Sequence, residues 1–338
     1  MGRFLVAPDS FKGTFGAAEV AEAIAVGIEV AGGAADRCPV ADGGEGTTAV
    51  LLAALGGELR SARVSDPLRR PIEASFGLLA DGNTAIVEMA QASGLPLLAP
   101  EERNPERADT YGTGELIAAA VEAGARRVLV AVGGSATTDG GSGAIEALRQ
   151  SEAAFVLLRA YGGKRTNATQ GRVRIEVLCD VQTPFEDAAR IFAPQKGADA
   201  AAVERLSARL DSLATELPRD PRGVPMTGCA GGLSGGLWAH GAELRAGADF
   251  VLDALDIDRR LARVDAVVSG EGRFDSQSLE GKIVGAIAAR CAAAGKPLHL
   301  IVGENALADD LPVAVASVAE ACDLEEVQQA AEDLARRG

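Results

Sequence analysis

The sequence predicts an α/β protein built on a mainly parallel sheet, with an antiparallel hairpin inserted in it. Short apolar runs alternate with helix-length stretches of 3.6-residue apolar spacing along almost the whole chain. Glycine-rich loops follow most of those runs, as at the strand ends of βαβ units. One segment departs from the rhythm, where two apolar runs flank an Asp-Gly turn.

The elements follow in order. Residues 3–7 read as a first short strand, and Ala17–Val30 as a helix with Val20, Ile24 and Ile28 at helical spacing. A second unit pairs a strand at 37–40 with a helix at Thr47–Leu55. Pro71–Leu79 and 84–89 flank Ala80-Asp81-Gly82-Asn83 and give the hairpin. Apolar runs at 128–132, 173–178, 266–268 and Leu298–Val302 are expected to be buried strands. Residues 219–225 have the proline and charge content of an exposed connector. A length of 338 residues suits about two domains.

Charge and composition exclude several function classes. A formal charge of −15 argues against nucleic acid and anionic membrane surfaces as partners, because both demand a basic footprint. No window approaches a membrane span, and the apolar run near the start is too short for a signal peptide, so the chain is expected to be cytoplasmic. The five cysteines are scattered, without a CxxC pair, which fits reduced thiols. With two histidines, His240 and His299, a histidine-based metal cluster is not expected.

In open α/β sheets, ligands bind outside the carboxyl ends of the strands. Those ends carry Pro8-Asp9-Ser10-Phe11-Lys12-Gly13, Ala41-Asp42-Gly43-Gly44-Glu45-Gly46, Gly133-Gly134-Ser135-Ala136-Thr137-Thr138-Asp139-Gly140-Gly141, Cys179-Asp180-Val181 and Ser269-Gly270-Glu271-Gly272-Arg273-Phe274-Asp275. One such loop is ordinarily a βα turn with a capping Asp or Ser. Five at successive strand ends indicate a site, since only glycine lets peptide N–H groups close on a phosphate. None is a Walker A or dinucleotide fingerprint, and residues 228–236 are a weak near-miss without a clear strand before them. Only five of the 33 basic residues are lysines, and Lys12, Lys196 and Lys282 each touch a glycine in such loops. A lysine is a compact point charge suited to a moving phosphoryl group, although Lys282 is equally read as a solvated surface residue. Carboxylates facing an anionic substrate imply a divalent cation, and Asp42, Asp180 and Asp275 are its candidate ligands.

These loops, together with Thr110-Tyr111-Gly112-Thr113-Gly114-Glu115 and Pro194-Gln195-Lys196-Gly197-Ala198, resemble the type-I glycerate kinase family nearly end to end. The resemblance implies two α/β domains, one flavodoxin-like and one restriction-endonuclease-like, with the active site in the cleft between them. Their expected extents are 1–60 plus 285–338 and 61–284. It also implies ATP and Mg²⁺ as cofactors and D-glycerate as acceptor, giving 2-phosphoglycerate in preference to the 3-phosphate, in a monomer or homodimer. The stretch between Gly143 and Cys179 is shorter than is usual in that family, which bears on local helices and on a subunit contact. Two other readings fit the same loops: a kinase of another small hydroxy acid, and a non-catalytic nucleotide- or anion-binding protein.

Chemistry assigns the roles. Phosphates are expected on the backbone of 133–141 and 270–272, with Gly133, Gly134, Ser135, Thr137, Gly270, Glu271 and Gly272 as cofactor-binding residues. Lys12 and Lys196 neutralise developing charge, while Asp42 or Asp180 accepts the hydroxyl proton or holds the metal. Ser10, Arg273 and Asp275 are expected at the acceptor substrate.

Overall fold

The computed structural model describes residues 2–11, 13–151, 173–279, 282–307 and 315–337. Lys12 and most of the shortened stretch, 152–172, therefore lie outside the described residues. In chain order the strands are β1 (Arg3–Val6), β2 (Ala34–Arg37), β3 (Gly57–Ser65), β4 (Pro71–Leu79), β5 (Thr84–Glu88), β6 (Arg127–Ala131) and β7 (Arg174–Cys179). They continue as β8 (Glu243–Ala246), β9 (Ala266–Ser269), β10 (Arg273–Phe274), β11 (Leu298–Val302), β12 (Glu304–Asn305) and β13 (Val315–Glu320). The chain divides into two compact units, Met1–Asp42 with Ala248–Gly338, and Gly43–Gly247.

The crossings after residues 42 and 247 differ from the sequence-based boundaries at 60 and 284. Helix Thr47–Leu55 continues the strand–helix alternation without a break, yet it packs on β4 and β5 of the second unit. Strand β9 likewise belongs to the sheet of the first unit. Alternation alone does not mark the point where a chain changes sheets.

In the first unit all five strands of the main sheet are parallel, in the order β13-β11-β9-β1-β2. Counted along this unit that is 2-1-3-4-5, the doubly wound order whose crevice opens where the order reverses, at the carboxyl ends of β1 and β9. Phe4, Val6, Val268 and Ile301 of the sheet bury against Val20, Ile24 and Ile28 of helix Ala17–Val30 and Val327 and Ala331 of helix Leu324–Arg337. Gly27 makes that helix contact possible, because a Cβ there would sit 2.2 Å from the Gln328 carbonyl oxygen. The second strand lies at 34–37, earlier than the apolar run at 37–40 suggests. It is a polar edge strand, so hydrophobicity does not reveal it, while Cys38 and Val40 still donate their N–H groups to Val6 and Pro8 along the extension of β1.

The second unit carries a six-stranded mixed sheet, β3-β4-β5-β6-β7-β8. Strands β3, β4 and β5 pair antiparallel, and β5 to β8 run parallel. The hairpin stands where Asp81-Gly82 predicts it. Asp81 accepts from the N–H groups of Asn83 and Thr84 at 2.8 Å each and from the Thr84 hydroxyl at 2.7 Å, and Gly82 takes φ 63°. One face of the sheet packs Phe76, Val87, Val128, Val130 and Val177 against Leu116, Ile117 and Ile145 of helices Tyr111–Glu122 and Ser142–Gln150. Gly77, between Phe76 and Leu78, faces the other way, where a Cβ would press on Thr48 and Leu52 of helix Thr47–Leu55.

Candidate active site

The first unit has a cavity of about 460 Å³ lined by the loops after β1 and β9, at the order reversal of its sheet. Backbone bonds continue the sheet into those loops: Ala7 N–H donates to Val268 (2.8 Å) and Asp9 N–H to Gly270 (2.9 Å). Gly270 does not line the cavity; a Cβ on it would stand 1.9 Å from the Ile301 carbonyl oxygen, so its role is close packing. The lining holds Asp9, Ser10, Asp42, Glu271, Gly272, Arg273, Asp275 and Lys282. Asp42 is buried, and the Ser10 N–H donates to Asp9 Oδ1 at 2.6 Å. The Asp275 carboxylate accepts from the Ser278 N–H (3.2 Å), while Ser278 Oγ accepts from the Asp275 N–H (3.1 Å). Arg273 is held between Glu304 (3.2 Å) and Asp275 (3.8 Å). Of the seven charged residues among those lining residues and Glu304, five are acidic, against Arg273 and Lys282.

A second cavity, of about 320 Å³, lies within the second unit and brings together Gly133, Gly134, Ser135, Asp180, Lys196, Cys229 and Ala230. Lys196 ends a single 3-10 turn, Pro194–Lys196, which Gly197 closes at φ 98°. Its side chain is 3% exposed. The ammonium donates to the Thr137 carbonyl oxygen (2.6 Å) and to Ser135 Oγ (3.4 Å). Burial pushes its pKa down to about 8, against the opposing pull of the Asp139 and Asp180 charges. Ser135 Oγ also accepts from the Thr137 N–H (3.0 Å) and meets Thr137 Oγ1 (3.0 Å), so Thr137 supports the loop from beneath and does not line the cavity.

The glycine-rich loop 133–141 splits into two functional halves. Gly133 and Gly134 face the cavity, and Gly134 takes φ 74°. Antiparallel bonds from Leu95 N–H to Gly134 (2.9 Å) and from Ala136 N–H to Ser93 (3.0 Å) fix this half. In the other half the buried Asp139 accepts from the N–H groups of Thr110, Gly141 and Gly143 (3.0–3.1 Å) and from Thr110 Oγ1 (2.8 Å). The Gly141 amide is thereby spent on a carboxylate of the chain itself, and the residues of this loop that line the cavity, Gly133, Gly134 and Ser135, all lie in its first half.

Several lining residues carried no role in the sequence reading. Asp9 stood inside a quoted motif without an assignment, and Glu304 and Cys322 come from segments after β11 that showed no motif. Cys229 and Ala230 belong to the stretch 228–236. There Ala230, Gly231 and Gly232 all take positive φ and interrupt helix Cys229–Ala239, which is the structural meaning of consecutive glycines in an apolar run.

Among the described residues no three His, Cys, Asp or Glu side chains converge as a metal cage. The oxygen donors suit Mg²⁺ nonetheless, because that ion takes one or two carboxylates and completes its shell with water and substrate phosphate. Asp42 lines the first cavity and Asp180 the second. No helix among the described residues is long and apolar enough to cross a membrane.

Comparison with known proteins agrees with these loops. The sequence profile of the glycerate kinase family matches residues 4–337. A glycerate kinase of Bacillus subtilis (strain 168) is 40% identical over 305 residues, 83% of this chain and 79% of its own length. A glycerate 2-kinase of Escherichia coli (strain K12) is 39% identical over 334 residues, 92% of this chain and 87% of its own. The crystal structure of a protein assigned as glycerate kinase 2 from Salmonella typhimurium LT2 superposes with a TM-score of 0.78 at 33% identity, covering 99% of this chain and 97% of that one. With its loops, its sheets and a profile match from strand β1 to the last helix, the chain belongs to the glycerate kinase family.

Proposed function

We propose that this chain transfers the γ-phosphoryl group of ATP to D-glycerate and forms 2-phosphoglycerate. The observation that carries the reading is Lys196, a buried ammonium beside the glycine backbone of Gly133 and Gly134. A cation kept at that cost, next to closely approachable N–H groups, is a receptor for phosphate oxygens. Phosphoryl transfer requires positioning and charge neutralisation more than covalent chemistry, and the residues present supply both.

Lys196 and Lys12 neutralise charge on the transferring group. The guanidinium of Arg273 takes the glycerate carboxylate, with the Ser10 hydroxyl as a further donor and Asp275 holding the arginine in place. Asp42 and Asp180 share two tasks, accepting the proton of the attacking hydroxyl and holding Mg²⁺. Bound there, the metal would supply charge neutralisation at the phosphate oxygens. The resemblance of the Escherichia coli glycerate 2-kinase supports C2 as the phosphorylated carbon.

A carbon NMR spectrum of the product tests this. Coupling of phosphorus to C1, C2 and C3 together marks the 2-phosphate. Phosphorus coupling confined to C3 and C2 marks the 3-phosphate and refutes the product. Turnover with tartronate but not D-glycerate would refute the acceptor. Nucleotide binding without turnover of either would favour the non-catalytic reading.

A further inference from the structure

The six-stranded sheet ends on one side in β8, four residues long, and on the other in β3, nine residues long and paired, among the described residues, with β4 alone. The Ala80 N–H donates to Gly56 at 3.0 Å, which makes Gly56 and Ala80 a hydrogen-bonded pair just before the register Gly57↔Leu79. Hydrogen-bonded and non-bonded pairs alternate along an antiparallel ladder. Glu58, Arg60 and Ala62 therefore turn their peptide groups toward β4, and Gly57, Leu59, Ser61 and Arg63 turn theirs outward. Ser65, next in the outward series, donates its N–H to Glu115 Oε2 at 2.6 Å, so the open edge stops there.

The side chains of this edge are unusual for one meant to stay bare. Leu59 is 61% exposed and Leu55, on the neighbouring helix, 44%; they are two of the four large apolar side chains exposed among the described residues. Glu58 and Arg60 pair with each other at 2.6 Å in solvent. Charges on an edge strand ordinarily prevent edge-to-edge pairing. Here their signs alternate, so they prevent some registers and favour one.

We propose that β3 pairs antiparallel with β3 of a second copy of this chain, centred on Leu59. In that register Leu59 meets Leu59 of the second copy, Gly57 meets Ser61, and each Glu58 stands opposite an Arg60. The outward peptide groups of 57, 59 and 61 then exchange about six hydrogen bonds. Shifting the centre by one residue places Arg60 opposite Arg60, or Glu58 opposite Glu58, and like charges directly opposite are destabilising. Centring on Ser61 brings Ser65, already bonded to Glu115, onto Gly57 and sets Glu58 against the buried Val64. Only the Leu59 register matches opposite charges twice and covers the exposed leucine.

Sedimentation velocity across the micromolar range tests the pairing on the whole chain. The wild-type chain is expected to be a dimer. Arg60→Glu sets carboxylates against carboxylates across the edge and should weaken association at least about tenfold. The double exchange Glu58→Arg with Arg60→Glu restores opposite signs and should restore the dimer, while Leu59→Lys should weaken it. Circular dichroism melting of each variant separates lost pairing from lost folding. A monomeric wild-type chain overturns the proposal. So does a dimer in which folded Arg60→Glu and Leu59→Lys variants associate as tightly as wild type, or one that the double exchange fails to restore.

Discussion

If phosphate binds beside Lys196 as proposed, binding should take up protons, and the size of that uptake follows from the lysine's burial. Its pKa falls from 10.5 to about 8 because the ammonium has exchanged water for one carbonyl oxygen and one hydroxyl. A shift of that size costs the charged form roughly 3 kcal/mol in the ligand-free protein. A phosphate at Gly133 and Gly134 would return the missing counter-charge and raise the pKa again. At pH 8 about half of the ligand-free molecules then take up a proton on binding, against about a tenth at pH 7. Titration calorimetry with Mg²⁺ and a non-hydrolysable ATP analogue, repeated in buffers of different ionisation enthalpy, reads that number directly. Lys196→Met should abolish the rise between pH 7 and 8.5 and lower kcat/KM by about 10²-fold or more. The stability sign runs the other way. Because the folded pKa lies below the unfolded one, the penalty is fully present below pH 8 and fades as pH rises through 8 to 10.5. Ligand-free Lys196→Met should therefore melt no lower than wild type at pH 7, apart from what the unbonded Thr137 carbonyl costs. Equal proton uptake by wild type and Lys196→Met would refute this account.

The remaining predictions address other parts of the site. Lys12→Ala should lower kcat by about 10²-fold in a folded protein, and unchanged turnover would remove that lysine from the chemistry. Chelation of divalent metal should abolish turnover while leaving the melting of the ligand-free protein nearly unchanged, since no cage of three ligands is present among the described residues; unfolding on chelation would make the metal structural. Gly270→Ala should destabilise by more than about 3 kcal/mol, because its Cβ would lie 1.9 Å from a backbone oxygen that cannot swing away, and calorimetric melting measures this.

How much of this was legible in the sequence depends on which signal each element carries. The hairpin is announced by Asp81-Gly82, whose turn chemistry is local. The buried strands β6, β7, β9 and β11 show as apolar runs because both of their faces are covered. Edge strands β2 and β3 did not, since water takes part of their surface and the polar residues Asp36, Arg60 and Ser61 fit there. At the candidate site, the loops were visible as glycine and carboxylate clusters, but the division of 133–141 was not. Asp139 and the first-half glycines share one motif, and only the hydrogen bonds from Thr110, Gly141 and Gly143 show that the carboxylate faces its own chain. Gly270 was likewise read as a phosphate donor from its motif, whereas the Ile301 carbonyl 1.9 Å from its missing Cβ gives it a packing role.

The rarity of lysine gains a physical reason from Lys196. The chain carries −15 overall and uses arginine for nearly all its cations, mostly in exposed pairs such as Arg37 with Glu22 and Glu29. An arginine stays charged at any accessible pH, so burying one in the cavity beside Ser135 would impose the full desolvation cost whenever the site stood without an anion. A lysine escapes that cost only above about pH 8, where it sheds its proton, and would recover the proton if a phosphate bound beside it. Lys196→Arg therefore separates the two properties. It preserves positive charge, yet proton uptake between pH 7 and 8.5 should vanish and, above about pH 9 where lysine has shed its proton, the ligand-free protein should melt lower than wild type. An arginine variant with undiminished stability and turnover would mean that the cavity is wetter than the 3% exposure of Lys196 implies, and that lysine stands there for no electrostatic reason.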